Sequence, residues 1–358
     1  MDDRLSATRR IARRTADATF RGARRLAHLA RKREPADDKA AHFPLTELDR
    51  RYLMSRYDDR QPLPPGARDC LRPDNPRLRE LQQEYSSFDS PAVEHSQWNA
   101  ANVAGYLDLQ YFRGDSMIQW HYRELPRATR LKLYVYLTYL ERDDDENLFS
   151  LLGEDGLFGC WTYDFEGHPR VSRDLLESVN ELRFLNRHLA LFQHPAPRVL
   201  DIGAGYGRLA HRMVTAMPRL RDYCCVDAVP ESTFLCEYYL RFRECLPPAR
   251  VLPLPAVETL EPGSFDLALN IHSFSECTHA AVSWWVARLR ELEVPLLFVI
   301  PNEPQGLLSR ERDHTRQDLL PVLHEAGYRL EVREPVVSDP AVRDVLRLED
   351  HFHIYRLA

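Results

Sequence analysis

A glycine-rich turn at residues 201–208, Asp-Ile-Gly-Ala-Gly-Tyr-Gly-Arg, has the clearest chemical meaning in the sequence. Its glycines, at positions 203, 205 and 207, let the backbone turn tightly and approach a ligand closely. A dinucleotide-binding turn has its third glycine one position later, where this chain has Arg208. Asp227, at the end of the next predicted strand, would accept hydrogen bonds from both hydroxyls of a ribose. The pattern favours a ribosyl ligand without a pyrophosphate, and the alternative is a generic α/β turn beside a surface aspartate.

A second group of chemically capable residues follows the predicted fourth and fifth strands. His272 and Glu276 are four residues apart and would share one face if the turn between them is helical. A histidine beside a carboxylate is a common general-base pair, in which the carboxylate orients the ring. We expect His272 to be the base and Glu276 to orient it or to serve as the base itself. The alternative is that one lines a ligand pocket and the other caps a helix. Asn302, at the same sheet edge, would contact a substrate or the loop backbone.

An aromatic loop at residues 153–169 supplies candidate substrate contacts. Trp161, Tyr163 and His168 offer flat rings with polar tips, which suit a sugar ring, and the glycines of the loop would let it close as a lid. The alternative is that these side chains only pack the loop onto the body of the protein.

Alternating strands and helices after Pro197 predict a mostly parallel sheet covered on both faces. The predicted strands are 198–202, 223–227, 250–254, 265–271, 295–301, 328–333 and 351–357. The predicted helices between them are 207–217, 231–243, 279–292 and 313–326. A long helix should begin after Ser172, a good N-cap, and end at the proline pair of residues 194–197.

The sequence before this region divides into two further parts. Residues 41–194 predict a mainly helical cap that binds the substrate, with a buried helix over 128–140. Residues 1–40 are expected to form a basic arm and linker. Residues 1–34 contain eleven Arg or Lys and four Asp or Glu, and their apolar residues recur at helical spacing. This arm would contact a membrane surface or a protein partner, or remain a solvated helix.

Composition excludes several classes of protein. The net charge of −6 argues against a nucleic-acid enzyme, which would carry a broad basic face. The seven cysteines are odd in number and form neither a C-x-x-C pair nor a zinc-binding spacing. They therefore predict reduced thiols in a cytoplasm and argue against a disulfide framework. The longest apolar run, residues 294–300, is too short to span a bilayer. The spacing of His, Cys and acidic residues does not indicate a metal, and a homo-oligomer is left open.

The turn at 201–207 together with Asp227 resembles the cofactor site of class I S-adenosylmethionine-dependent methyltransferases, and the order of elements over 195–358 is similar to theirs. The resemblance implies a Rossmann-like sheet of seven strands that closes with a hairpin. It also implies a cofactor site formed by Asp201, Gly203, Ala204, Gly205, Gly207, Asp227, Ala228, Ala256, Val257, Asn270, Ile271 and Arg173, the last of these at the methionine carboxylate.

Three shorter segments resemble a bacterial family of sugar O-methyltransferases. They are Ser-Arg-Asp-Leu-Leu-Glu-Ser-Val-Asn-Glu-Leu-Arg from 172, Asn-Ile-His-Ser-Phe-Ser-Glu-Cys from 270 and Phe-Val-Ile-Pro-Asn from 298. The usual Glu-Met pair of that family is Glu276-Cys277 here, which keeps the carboxylate. The resemblance implies methyl transfer to a hydroxyl of a saccharide or of a sugar-containing natural product. Two alternatives are an amine, carboxylate or phenol acceptor and a cofactor-binding scaffold without catalytic activity.

Overall fold

The computed structural model describes residues 63–93, 96–113, 126–302 and 306–358 of the chain. The predicted basic arm and linker of residues 1–40 lie outside these ranges. The α-helices are α1 (Ala67–Cys70), α2 (Pro76–Ser86), α3 (Ala100–Tyr106), α4 (Pro126–Glu141), α5 (Leu148–Leu151), α6 (Arg173–Leu189), α7 (Arg208–Ala216), α8 (Pro230–Phe242), α9 (His279–Glu291), α10 (Leu320–Glu325) and α11 (Pro340–Leu346). The strands are β1 (Arg198–Ile202), β2 (Asp222–Val226), β3 (Ala249–Val251), β4 (Leu267–Ile271), β5 (Leu296–Ile300), β6 (Tyr328–Pro335) and β7 (His351–Leu357).

One seven-stranded sheet with the order β3-β2-β1-β4-β5-β7-β6 organises the protein. Strands β1 to β5 pair in parallel, whereas β7 is antiparallel to both β5 and β6. This arrangement confirms the predicted Rossmann-like fold of the class I methyltransferases, including its closing hairpin. Strand β1 lies between β2 and β4, so the strand order reverses direction at β1 and forms a switch point there. Open α/β sheets bind ligands at such a point, beyond the carboxyl ends of the strands.

Helix α6 leads into β1 and fixes its position. The Ser172 hydroxyl accepts a hydrogen bond from the backbone amide of Leu175 (3.1 Å), as an N-cap does. The apolar stripe of the helix, which includes Leu175, Val179 and Leu182, is fully buried. The helix ends at Leu189, before the predicted proline stop, because Ala190 adopts the left-handed conformation (φ 49°).

The prediction of a helix over 313–326 was wrong in its first half. Helix α10 covers only Leu320–Glu325, and the preceding residues form a turn that is closed by hydrogen bonds from Ser309 N to Gln317 O (2.8 Å) and from Leu319 N to Leu307 O (3.0 Å). Residues 310–318 contain no apolar side chain, so a helix there would have no stripe to bury. Helix α11 was not predicted. It begins where the carboxylate of its N-cap, Asp339, accepts from two backbone amides.

The described residues before α6 are mainly helical and belong to the same hydrophobic core as the sheet. Leu78 and Leu81 of α2 and Leu137 and Leu140 of α4 are at most 1% exposed. The boundary at residue 195 between a cap and a sheet domain stays a prediction. Among the described residues, no helix combines the length and the apolarity that a membrane span requires.

A buried ionic cluster attaches residues 113 and 154 to α7. The Glu154 carboxylate accepts from Arg113 (2.8 Å) and from Arg212 (3.1 Å), and all three side chains are at most 3% exposed. Although burial opposes it, the two guanidinium groups hold the pKa of Glu154 well below its usual range. Removal of either arginine would leave buried charge with fewer partners, a strongly destabilising change.

Candidate functional site

The glycine turn after β1 forms one wall of a cavity of about 280 Å³ at the carboxyl ends of the strands. At Gly203 (φ 78°), an added Cβ would lie 2.4 Å from the Cβ of Ser273, so glycine is needed for the loop after β4 to approach. At Gly205 (φ 57°), an added Cβ would meet no atom within 4 Å. The backbone at Gly205 therefore borders open space, as a cradle for a ligand requires.

Gly207 corrects one expectation of the sequence analysis. Although predicted to contact a cofactor, it does not line the cavity, and an added Cβ would lie 2.9 Å from Cys236 Sγ and 3.1 Å from Leu240. Gly207 therefore lets α8 pack closely against the turn. The next residue, Arg208, lines the cavity and forms an ion pair of 2.8 Å with the buried Glu181.

Asp227 and the glycine turn form one unit on the same side of the sheet. The Asp227 carboxylate accepts hydrogen bonds from Gly205 N (2.9 Å) and Val229 N (2.8 Å) and lines the cavity. Burial raises the pKa of Asp227 to about 6, although these backbone donors act in the opposite direction. The predicted proximity of the turn and the carboxylate is thus present.

Asp201 contributes a second carboxylate to the cavity wall. It is the last residue but one of β1, is 5% exposed and accepts a hydrogen bond of 2.8 Å from the hydroxyl of Tyr223. Burial raises its pKa to about 7. Asp201 therefore changes protonation near neutral pH.

Glu276 does not pair with His272 in the way that the sequence analysis expects. Residues Ser273–Glu276 form a 3-10 helix, and the Glu276 carboxylate accepts from Trp98 Nε1 (2.7 Å) and Asn302 Nδ2 (3.0 Å). Burial raises the pKa of Glu276 to about 7, against the effect of these two donors. Asn302 is absent from the cavity lining and reaches the site through Glu276.

His272 lines the cavity in a strained backbone conformation (φ 67°). Its Nδ1 is buried and has no hydrogen-bond partner among the described residues. Burial, reinforced by the charges of Arg173 and Arg208, lowers the pKa of His272 to about 3. The ring is therefore neutral at physiological pH and borders the cavity.

Two further arginines, besides Arg208, line the cavity at its α6 side. Arg173, predicted to face a carboxylate, lines the cavity, and its Nε donates to Glu177 (2.6 Å). Arg113 also lines the cavity, and its Nε lies 3.6 Å from Asp174, whose carboxylate accepts from the Tyr206 hydroxyl. Sequence reasoning missed Arg113 and Trp98 because both belong to segments far from the motifs. The sequence signal that could have pointed to Arg113 is Asp174, its carboxylate neighbour in the first turn of the predicted α6.

Three further predicted cofactor residues lie outside the cavity lining, whereas Ala204, Ala228 and Ile271 line it. Val257 is fully buried and Ala256 lies in the 3-10 helix Leu254–Thr259. Asn270 is fully buried because its amide donates to Ile202 O (2.9 Å) and accepts from Phe274 N (2.8 Å). Asn270 thus attaches the end of β1 to the loop after β4 and does not face the cavity.

The predicted substrate residues of the aromatic loop, Trp161, Tyr163 and His168, do not line the cavity. His168 Nδ1 lies 2.8 Å from the carboxylate of Glu141 at the end of α4, and its ring packs edge-on against Tyr134. Tyr163 forms a backbone bridge with Val171. The loop therefore packs onto α4 in this structure, and its role in substrate binding stays a prediction. In the ranges that the structure describes, no three His, Cys, Asp or Glu side chains are grouped to hold a metal ion.

Comparisons with known proteins leave the reaction of this chain open. No protein-family model and no curated protein sequence matches the chain. Among solved structures, the (4+2)-cyclase SpnF has 16% identity and a TM-score of 0.39, with 64% of this chain and 95% of that chain covered. A SAM-dependent methyltransferase from Leishmania major has 17% identity and a TM-score of 0.38, with 50% and 73% covered.

A phosphoethanolamine N-methyltransferase from Haemonchus contortus, in complex with phosphomonomethylethanolamine and S-adenosylhomocysteine, has 16% identity and a TM-score of 0.35, with 49% and 50% covered. These neighbours include a cyclase and an N-methyltransferase, and every one of them has a TM-score below 0.5. Their activities therefore carry no argument about the reaction of this chain.

Proposed function

We propose that the protein is an S-adenosylmethionine-dependent O-methyltransferase that acts on a hydroxyl of a sugar or of a sugar-containing natural product. The observation that carries the proposal is the direct hydrogen bond between Asp227 and the amide of Gly205 inside one cavity at the sheet's switch point. This unit combines a carboxylate for ribose hydroxyls with a glycine backbone that has open space beside it.

The charges around the cavity fit the rest of this cofactor. Arg173 and Arg113 lie on its α6 side, where guanidinium groups would hold the methionine carboxylate. Asp227 and the glycine turn would hold the ribose, and Ala228 and Ile271 provide apolar contacts for the adenine. When bound, S-adenosylmethionine supplies an activated methyl group on a positively charged sulfur.

The residues of this chain would then have to accept the proton of the acceptor hydroxyl and orient that hydroxyl. We assign the base to Glu276, because its pKa of about 7 matches a base working near neutral pH. His272, with a pKa of about 3, is a poor match for that role, and its ring, which lines the cavity, would donate or accept a hydrogen bond to orient the acceptor. Asn302 and Trp98 hold the Glu276 carboxylate in place. Positioning of the hydroxyl can lower the activation free energy by about 7–11 kcal/mol.

The choice of a sugar hydroxyl as acceptor rests on the segments that resemble sugar O-methyltransferases. An amine, carboxylate or phenol on a secondary metabolite would use the same cavity and the same base. The mass and position of the transferred methyl group on candidate acceptors separate these classes.

The cofactor assignment is tested by calorimetric titration with S-adenosylhomocysteine. We expect Asp227→Asn to weaken binding by about tenfold or more, because hydrogen bonds to a charged acceptor are lost. The control is Asp222→Asn. Asp222 is the first residue of β2, at the opposite end of that strand from Asp227, and it pairs with Arg250. The proposal fails if the unaltered protein does not bind S-adenosylhomocysteine, or if both variants bind it as tightly as the unaltered protein.

A further inference from the structure

A second and larger cavity adjoins the candidate cofactor site. It measures about 720 Å³ and lies between α2, α3 and the residues that follow β2. Its wall includes the apolar side chains of Leu78, Phe88, Val93, Val103, Leu107 and Leu109. The volume is within the range of pockets that bind drug-sized ligands.

The polar side chains that line this cavity already have partners within the protein. Gln82 donates to Glu231 (2.7 Å), and Ser86 donates to the carbonyl of Gln83 (2.9 Å). The Tyr85 hydroxyl is bonded to Thr233 (2.7 Å) and to backbone atoms of Asp227 and Leu254.

A bare sugar placed against the apolar part of this wall would leave hydroxyls without partners, which is costly. An apolar group would gain the free energy of leaving water. The chemistry of the wall therefore selects an apolar occupant.

The larger cavity shares part of its wall with the cofactor cavity. Trp98, Leu107, Ala228 and Val229 line both. Trp98 also donates its indole N–H to the carboxylate of Glu276. The two cavities therefore adjoin along these side chains, and Trp98 contacts both the larger cavity and the proposed base.

We propose that this cavity binds the apolar portion of the methyl acceptor, an aliphatic or aromatic group attached to the part that carries the reacting hydroxyl. The proposal rests on the methyltransferase function proposed above and narrows its substrate. The acceptor is then an amphipathic glycoside or a comparable molecule with an apolar body, and a free saccharide is a poor substrate.

Two glucosides that differ only in their alkyl group provide the probe. Octyl β-D-glucoside, kept below its micelle-forming concentration, and methyl β-D-glucoside are titrated into the full chain in the presence and absence of S-adenosylhomocysteine. Each buried methylene contributes about a fourfold gain in affinity. We therefore expect the octyl compound to bind at least about tenfold more tightly than the methyl compound.

A matched pair of variants locates the binding. Ala104 lines the cavity and is exposed, so Ala104→Trp fills the space without removing core packing. Ala101→Trp, at another exposed position of the same helix, does not face the cavity and is the control. We expect Ala104→Trp to weaken octyl glucoside binding at least tenfold, with no change in S-adenosylhomocysteine binding or in the thermal unfolding midpoint, and Ala101→Trp to leave all three unchanged.

Three results would overturn the inference. They are equal binding of the two glucosides, unchanged octyl glucoside binding in Ala104→Trp, and a loss of S-adenosylhomocysteine binding in Ala104→Trp, which would assign the cavity to the cofactor. Failure of the unaltered protein to bind S-adenosylhomocysteine would instead refute the proposed function. The two outcomes are distinguishable because the glucosides are also compared in the absence of S-adenosylhomocysteine, where their binding depends on the larger cavity alone.

Discussion

The assignment of Glu276 as the base leads to a quantitative prediction for Glu276→Gln. The variant keeps the size of the side chain but cannot accept a proton. A placed general base typically contributes about 10²–10⁴-fold, or about 3–5 kcal/mol of transition-state stabilisation. We expect the methyl-transfer rate to fall by this factor, whereas S-adenosylhomocysteine affinity stays unchanged because Glu276 is not among the proposed cofactor contacts.

The pH dependence of the rate gives this prediction its sign. Burial raises the pKa of Glu276 to about 7, and the base acts in its deprotonated form, so the rate should rise with pH and level off above about 7. Trp98 donates to the charged form of this carboxylate. A hydrogen bond to a charged group contributes about 1.5–3 kcal/mol, so Trp98→Phe should move the rise by about one to two pH units toward higher pH.

Two measurements check the assignment. Formation of S-adenosylhomocysteine with a panel of alkyl glucosides gives the rate against pH, and infrared difference spectra between the unaltered protein and Glu276→Gln follow the titration of the carboxyl without any acceptor. His272→Gln is the comparison variant, and it should lower the rate while retaining the pH profile, because the pKa of His272 is about 3. A normal rate in Glu276→Gln, or loss of the pH profile in His272→Gln but not in Glu276→Gln, would refute the reasoning.

The remaining predictions concern the glycine turn and Asp201. Gly203→Ala should lower the free energy of unfolding by about 1–3 kcal/mol, because its Cβ would clash with Ser273. Gly205→Ala should lower the free energy of unfolding less, because its Cβ would meet no atom and only the strain of the positive φ (57°) remains, and it should also lower S-adenosylhomocysteine affinity. Urea unfolding and calorimetry on both variants check this, and equal effects on stability would contradict it. The pKa of Asp201 is raised by burial to about 7, so its contribution to stability is present at low pH and is lost as pH rises through 7. Asp201→Asn, which can still accept from Tyr223, should therefore be more stable relative to the unaltered protein at pH 8 than at pH 5 in urea unfolding, and an equal difference at both pH values would contradict this.

The sheet could be predicted from the sequence because its signals are local. The apolar run 296–300 and other short, mostly buried strands such as 198–202 alternate with helices, a pattern typical of a covered parallel sheet. Residues 310–318 show the limit of this reasoning, because long-range backbone hydrogen bonds such as Leu319 N to Leu307 O decide their conformation. A helical period was expected there without an apolar stripe to support it.

The candidate site could be predicted where one short stretch holds its parts. Gly203, Gly205 and Asp227 meet because parallel neighbours β1 and β2 end at the same edge. Gly207 allows close packing of α8. The spacing of the glycines in the sequence could not distinguish this role from ligand binding, because both roles require a residue without a Cβ. Trp98 and Arg113 were missed because their places in the site arise from tertiary packing of the chain before α6.

The segment at residues 96–98 is part of the chemistry of the site as well as its cover. Ser96 Oγ and Gln97 N donate to the carbonyl of Glu276 (2.8 and 3.2 Å), and Trp98 donates to its carboxylate (2.7 Å). Through these contacts the segment both desolvates the carboxylate, which raises its pKa, and stabilises its charged form, which lowers it. The proton affinity of the proposed base therefore depends on how this segment sits, and the same indole forms a wall of the large apolar cavity. An acceptor that fills that cavity would contact Trp98 directly, so binding of the apolar group and tuning of the base act through one side chain.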